Sequence, residues 1–95
     1  MDERLHYLAI YHIKQEKALK VMREWLEEHD YNYREFDNRF NETTIDVLNS
    51  NDLKVGVGSL VNSKPQISIY VGEEIEYQGE EITVTEQEIK AFYER

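Results

Sequence analysis

The chain has 95 residues, 11 Lys and Arg against 20 Asp and Glu, and a formal net charge of −9. With 40% hydrophobic and 33% charged residues it is too apolar for a disordered tail and too polar for a membrane span, and its length sets a single domain over residues 1–95. The absence of cysteine removes disulfides, thiolate metal sites and cysteine nucleophiles, and the acid excess disfavours direct nucleic-acid binding, which needs local positive charge.

Met1-Asp2-Glu3-Arg4 lacks a basic segment followed by an apolar run, so no secretory signal is expected and the expected setting is the cytoplasm. Residues 5–13, Leu-His-Tyr-Leu-Ala-Ile-Tyr-His-Ile, are apolar at seven of nine positions. That is far short of the roughly 20 residues of a spanning helix, and no membrane is expected as a partner. Apolar on all sides and rich in Tyr and Ile, the stretch predicts a central strand buried on both faces. The alternative is one unbroken helix from about Asp2 to Asp30, because no capping residue marks a boundary near Lys14.

Residues 14–29 predict an amphipathic helix, with Ala18, Leu19, Met22, Trp25, Leu26 and His29 recurring at steps of three and four. The rest reads mostly as strand. A short strand is expected near 31–36, then a loop through Asn38 and Asn41, then strands over 43–48 and 53–62 joined by the turn residues Ser50-Asn51-Asp52. Gly56 and Gly58 fall on one face of the 53–62 strand, leaving a bare strip where another element can approach closely. Asn62-Ser63-Lys64-Pro65 predicts a turn, and Ile67, Ile69 and Val71 alternate with polar residues as a strand. Ile75 and Tyr77 lead to a Gln78-Gly79 turn, with a further short strand over 82–84. Thr85-Glu86-Gln87-Glu88 is a capping box that opens a C-terminal helix over 85–94. The expected fold class is α+β, in the order β-α-β-β-β-β-α. A small antiparallel sheet of about four or five strands packs on the 14–29 helix, and the 85–94 helix closes one edge or face.

Catalytic chemistry finds little to stand on. His6 and His12 are about 20 Å apart on a strand, or on different sides of a helix, so they cannot share a metal ion. Gly56-Val57-Gly58 lacks the third glycine of a dinucleotide fingerprint and the Gly-Lys-Ser/Thr of a P-loop. No serine has the context of a nucleophile elbow. No catalytic residue, metal site or cofactor is therefore assigned, and the chain is not expected to be an enzyme. The aromatics and arginines interleaved between Tyr31 and Phe40 carry more acid than base around them, and read as core under the sheet.

The charge is unevenly spread. Residues 73–95 hold eight acids and two bases, against twelve and nine in residues 1–72. Clustered like charges cost folding energy through self-repulsion. One reading is a solvated hairpin whose exposed edge is protected by charge. The functional reading is a docking face made of Glu73, Glu74, Glu76, Glu80 and Glu81, with the neighbouring Tyr70 and Tyr77. It would meet a protein with a basic surface. The chain would then be a non-catalytic acidic binding module. Its concrete form is an inhibitor of the type phages and mobile elements encode, with carboxylates placed where a nucleic-acid-binding groove expects phosphates. The alternative is a small homodimeric structural or assembly protein that pairs through sheet edges or the Trp25 helix face.

Overall fold

Residues 5–13 are helix, not strand. In the computed structural model, which describes residues 3–37, 43–72 and 74–94, they form the first part of one continuous helix, α1 (Glu3–Glu28). The expected first strand is thereby corrected, and the 14–29 helix becomes the second half of α1. The reason lies in how the two halves are buried. The second half buries Ala18, Met22 and Leu26 completely against the sheet, and the first half buries Ala9 and Ile13. At 3.6 residues per turn, Ala9 and Ile13 project about 140–180° away from the direction of the Ala18–Met22–Leu26 stripe. They face α2 (Glu86–Tyr93): His12 and Lys17, which flank them, meet Phe92 at a ring distance of 5.4 Å and Glu88 at 3.0 Å. Tyr7, Leu8 and Tyr11 project within about 60° of the sheet-facing stripe, but they remain exposed. A helix that is apolar on two sides looks apolar all round, and in a short window that pattern matches a doubly buried strand.

The helix ends without glycine. Asp30 takes a left-handed conformation (φ 60°), Tyr31 N–H donates to the Leu26 carbonyl at 2.9 Å and Asp30 N–H to the Glu27 carbonyl at 3.3 Å. This is a Schellman closure with Asp in the usual glycine position, and it turns the chain back along α1. Tyr31 packs against the core that contains Leu26, supplying the hydrophobic contact that accompanies such a closure.

Five antiparallel strands come next, in meander order: β1 (Asn32–Asp37), β2 (Thr43–Leu48), β3 (Lys54–Val61), β4 (Lys64–Ile69) and β5 (Ile75–Gln78). The element order is therefore α-β-β-β-β-β-α within an α+β fold. The predicted loop through Asn38 and Asn41 lies outside the described residues. The β2–β3 turn is held by Asn49, whose side-chain oxygen accepts from the backbone of Asn51 at 2.9 Å and Leu53 at 3.1 Å. Asn62 and Ser63, both at positive φ, form the two-residue turn between Val61 and Lys64, the geometry that matches strand twist. Tyr70 and Val71, expected as strand, lie beyond the end of β4.

Ile45 and Val47 of β2 and Ile67 and Ile69 of β4 line the face toward α1. Gly56 and Gly58 of β3 lie between them, as the bare-strip reading predicts. A Cβ on Gly58 would sit 3.0 Å from the sulfur of Met22, and one on Gly56 would collide with the Ser68 carbonyl. Across the second half of α1, Arg23 pairs with Glu35 of β1, and the Tyr33 hydroxyl donates to Glu27 at 3.0 Å. The Glu35 carboxylate holds Arg23 more firmly in its charged form, and the bond to Glu27 raises the Tyr33 phenol above its ordinary value.

Residues 82–84 are not a strand. Ile82 N–H donates to the Ser63 carbonyl at 2.6 Å, and its side chain enters the core at 8% exposure. The segment after β5 thus crosses toward the β3–β4 turn instead of adding to the sheet, and it delivers the chain to α2. There the predicted capping box is in place: the Thr85 hydroxyl accepts from Glu88 N–H at 3.2 Å, and the Glu88 carboxylate accepts from Thr85 N–H at 3.1 Å.

Candidate partner-binding edge

β5 is an edge strand, paired only with β4 among the described residues. Its register places Ile75 opposite Ile69 and Tyr77 opposite Ile67, on the face toward α1, and Glu76 opposite Ser68 on the outer face. Period-2 alternation therefore separates the candidate residues. Tyr77 is half-buried and stacks on Trp25 at 5.1 Å, so its ring packs inside the fold while Glu76 points out. Trp25 itself also stacks on His29 at 4.0 Å, and the Trp25 helix face considered for self-association is largely occupied. His29 Nδ1 donates to the Trp25 carbonyl at 2.8 Å, a bond within the helix end.

Glu74 precedes β5, and Glu80 and Glu81 lie beyond it; all three are exposed or partly so, as is Glu76. Six residues of extended chain separate Glu74 from Glu80, at most about 20 Å. Tyr70, 52% exposed, and Val71, 54% exposed, stand at the Glu74 end, because Tyr70 N–H donates to the Val55 carbonyl at the far end of β3 from the Asn62-Ser63 turn. Glu80 and Glu81 stand at the other end, between Gly79, bonded to the Pro65 carbonyl, and Ile82, bonded to Ser63. The candidate surface is thus one exposed glutamate on the outer face of β5, Glu76, with three more in the segments that flank the strand and an aromatic ring at one end. Glu73 lies outside the described residues. Val71 extends the Tyr70 end, and its place at the end of the Ile67–Ile69–Val71 alternation, just before Gly72, is the signal that it can lie outside the sheet.

Three acids elsewhere are tied into the fold by cations. Glu88 pairs with Lys17 at 3.0 Å, Asp46 with Lys54 at 3.2 Å, and Glu35 with Arg23. Lys17 and the Thr85 amide together hold the Glu88 carboxyl below its ordinary value, so Glu88 belongs to the α1–α2 joint. Among the described residues, Glu74, Glu76, Glu80 and Glu81 have no cation within salt-bridge distance. Such a row can attract a basic surface. Also among the described residues, no group of three His, Asp or Glu side chains converges as a metal site would require, and no helix is long and apolar enough to cross a membrane. No family model, curated protein or solved structure matches this chain.

Proposed function

We propose that this chain is a non-catalytic binding module of the cytoplasm that docks its β5 edge on a basic surface of another protein. In its concrete form it is an inhibitor that fills a nucleic-acid-binding groove, with Glu74, Glu76, Glu80 and Glu81 standing where phosphates would sit and Tyr70 as an aromatic contact at one end. The observation that carries this reading is clustering: Glu74, Glu76, Glu80 and Glu81 fall within eight consecutive residues on and beside one edge strand, all exposed, with no cation at salt-bridge distance among the described residues. Unpaired charge on one edge raises self-repulsion and lends itself to steering a basic partner. A purely protective role for the charge would be met by one or two acids on so short a strand.

The test is charge reversal. Immobilised chain should retain a basic protein from host lysate at about 50 mM salt and release it at about 500 mM, where screening shortens to a few ångströms. The Glu74→Lys/Glu76→Lys/Glu80→Lys/Glu81→Lys variant should lose that protein while keeping its circular dichroism. Nucleic acid added in excess should compete for the captured partner. Retention unaltered by the four substitutions would refute the reading.

A further inference from the structure

Residues 5–13 contain no Asp, Glu, Lys or Arg, in a chain of which 33% is charged. One side of this stretch, Ala9 and Ile13, is buried. The other carries Tyr7, Leu8 and Tyr11, exposed by 72%, 56% and 41%. Lys14 Nζ, donating to Ser63 Oγ at 3.0 Å, marks where α1 reaches the β3–β4 turn, and the helix runs on beyond it. Tyr11 lies at the junction of two grooves. One, of about 430 Å³, runs between α1 and the end of β3 past Leu60 and Val61; the other, of about 290 Å³, runs between Leu8 and the rings of Phe92 and Tyr93. Val61 and Tyr93, 40% and 38% exposed, extend the same surface to either side. Together these side chains expose about 450 Å² when a full tyrosine counts for ~200 Å². Single exposed apolar residues are ordinary, and a patch of ~450 Å² matches the largest patch of a typical monomer, about 300–600 Å², which is often functional.

We infer that a second copy of this chain covers this face, in a two-fold contact with Leu8 and Tyr11 at its centre. Size is the first argument. Interfaces are about 57% apolar, so ~450 Å² of apolar surface corresponds to about 800 Å² per partner, the area of a standard stable contact. Charge is the second. The centre of the patch, on residues 5–13, carries no Asp, Glu, Lys or Arg, with Glu86, Lys90 and Glu94 only at the Tyr93 margin, so two identical centres meet without the repulsion that a net charge of −9 imposes elsewhere on the surface. Continuity is the third. Tyr7, Leu8 and Tyr11 prolong the stripe that the sheet covers in the second half of α1, and the same helix from a second copy supplies apolar cover where the sheet leaves that stripe open. This goes beyond the acidic edge and does not depend on it. If both hold, each dimer presents two β5 edges, which gives avidity toward a partner that is itself repeated.

Light scattering and sedimentation test the contact. The wild-type chain should run at twice the 11.4 kDa of one chain and keep that mass in 1 M salt, where capture through the acidic edge is lost. Leu8→Glu places an unpaired charge in the interface twice and should weaken association about 100-fold or more, giving a monomer with unchanged circular dichroism. Should Leu8→Glu disturb the packing of α2, Tyr7→Lys, at the most exposed position, keeps the test open and should also shift the mass toward the monomer. Because the chain has no cysteine, Leu8→Cys should oxidise to a covalent dimer, whereas Glu74→Cys should not. A wild-type chain that stays monomeric up to about 100 µM overturns the inference. So does a dimer indifferent to both Leu8→Glu and Tyr7→Lys.

Discussion

The two halves of α1 carry the same apolar stripe and have different fates. From Ala18 to Leu26 the stripe lies on the sheet, and Ala18, Met22 and Leu26 are all fully buried. At Tyr11 it reaches the end of β3 across an open groove, and at Tyr7 and Leu8 it stays in solvent, while the opposite side of the helix takes over the packing through Ala9 and Ile13. Amphipathicity along a helix is therefore not a property of the helix alone. Which stripe is buried is decided turn by turn by what lies opposite, here β2 to β4 for one half and α2 for the other.

Substitutions on the two stretches of that stripe should diverge widely. Met22 is fully buried, with its sulfur against the space left by Gly58, so Met22→Ala should cost about 2–5 kcal/mol in urea unfolding. Tyr7→Ala, on the same side of the helix but several turns away, should leave the stability of the folded monomer within about 0.5 kcal/mol. Equal losses at the two sites would mean that the first half of α1 is packed against something else. The comparison sharpens at Gly58. A valine there overfills the gap beneath Met22 and should cost about 1–3 kcal/mol. In a Met22→Ala background the added methyl groups enter the vacated space, so the double variant should lose less than the two single losses together.

The joint between the first half of α1 and α2 is weaker. Thr85→Ala removes the hydroxyl that accepts from Glu88 N–H and should cost about 1 kcal/mol. Hydrogen exchange would place the loosening in α2 and in residues 6–13, with the second half of α1 unchanged, because Ala9 and His12 line a groove with Phe92 and Tyr93 of α2, whereas Ala18, Met22 and Leu26 lie in the sheet core.

The same contrast explains what could be read in advance. The second half of α1 was legible because one stripe is buried and the other side is charged. The C-terminal helix was legible from Thr85 and Glu88 alone, since the capping box is a local arrangement that tertiary packing need not create. Gly56 and Gly58 announced the close approach of α1, although they could not say which element would come. Residues 5–13 were misleading because two apolar stripes on one helix erase the polar side that gives a helix its period. Residues 82–84 have strand-like composition, but Ile82 is an anchor at a crossing, a role set by the β3–β4 turn some twenty residues earlier. At the acidic edge the excess of charge was visible in the sequence. The division of Glu76 from Tyr77 onto opposite faces was implicit in their being adjacent on a strand.

The smallest expected effect separates pairing from capping at Glu88. Its carboxylate serves both Lys17 and the Thr85 amide, and both lower its pKa in the folded chain. A carboxylate with a depressed folded pKa stabilises the fold above its ordinary value, about 4.5, and that contribution is lost as pH falls through the lower, folded value. Glutamine at this position can still close a capping box, so Glu88→Gln removes the charge and keeps the cap. The wild-type chain should therefore unfold at a higher temperature than Glu88→Gln at pH 7, and the gap should close as the pH is taken below 4.5 toward 3. Both side chains of the Lys17–Glu88 pair are about a third exposed, so high salt should narrow the gap at pH 7 as well. Lys17→Met should behave differently. Lys17 Nζ also donates to the Thr83 carbonyl at 2.7 Å, a bond that does not titrate with Glu88, so part of its deficit should persist at pH 3. A Glu88→Gln gap that is the same at pH 3 and pH 7 would show that the charge of Glu88 does not hold α2 to α1, leaving the cap and the apolar contacts at Phe92 to do so.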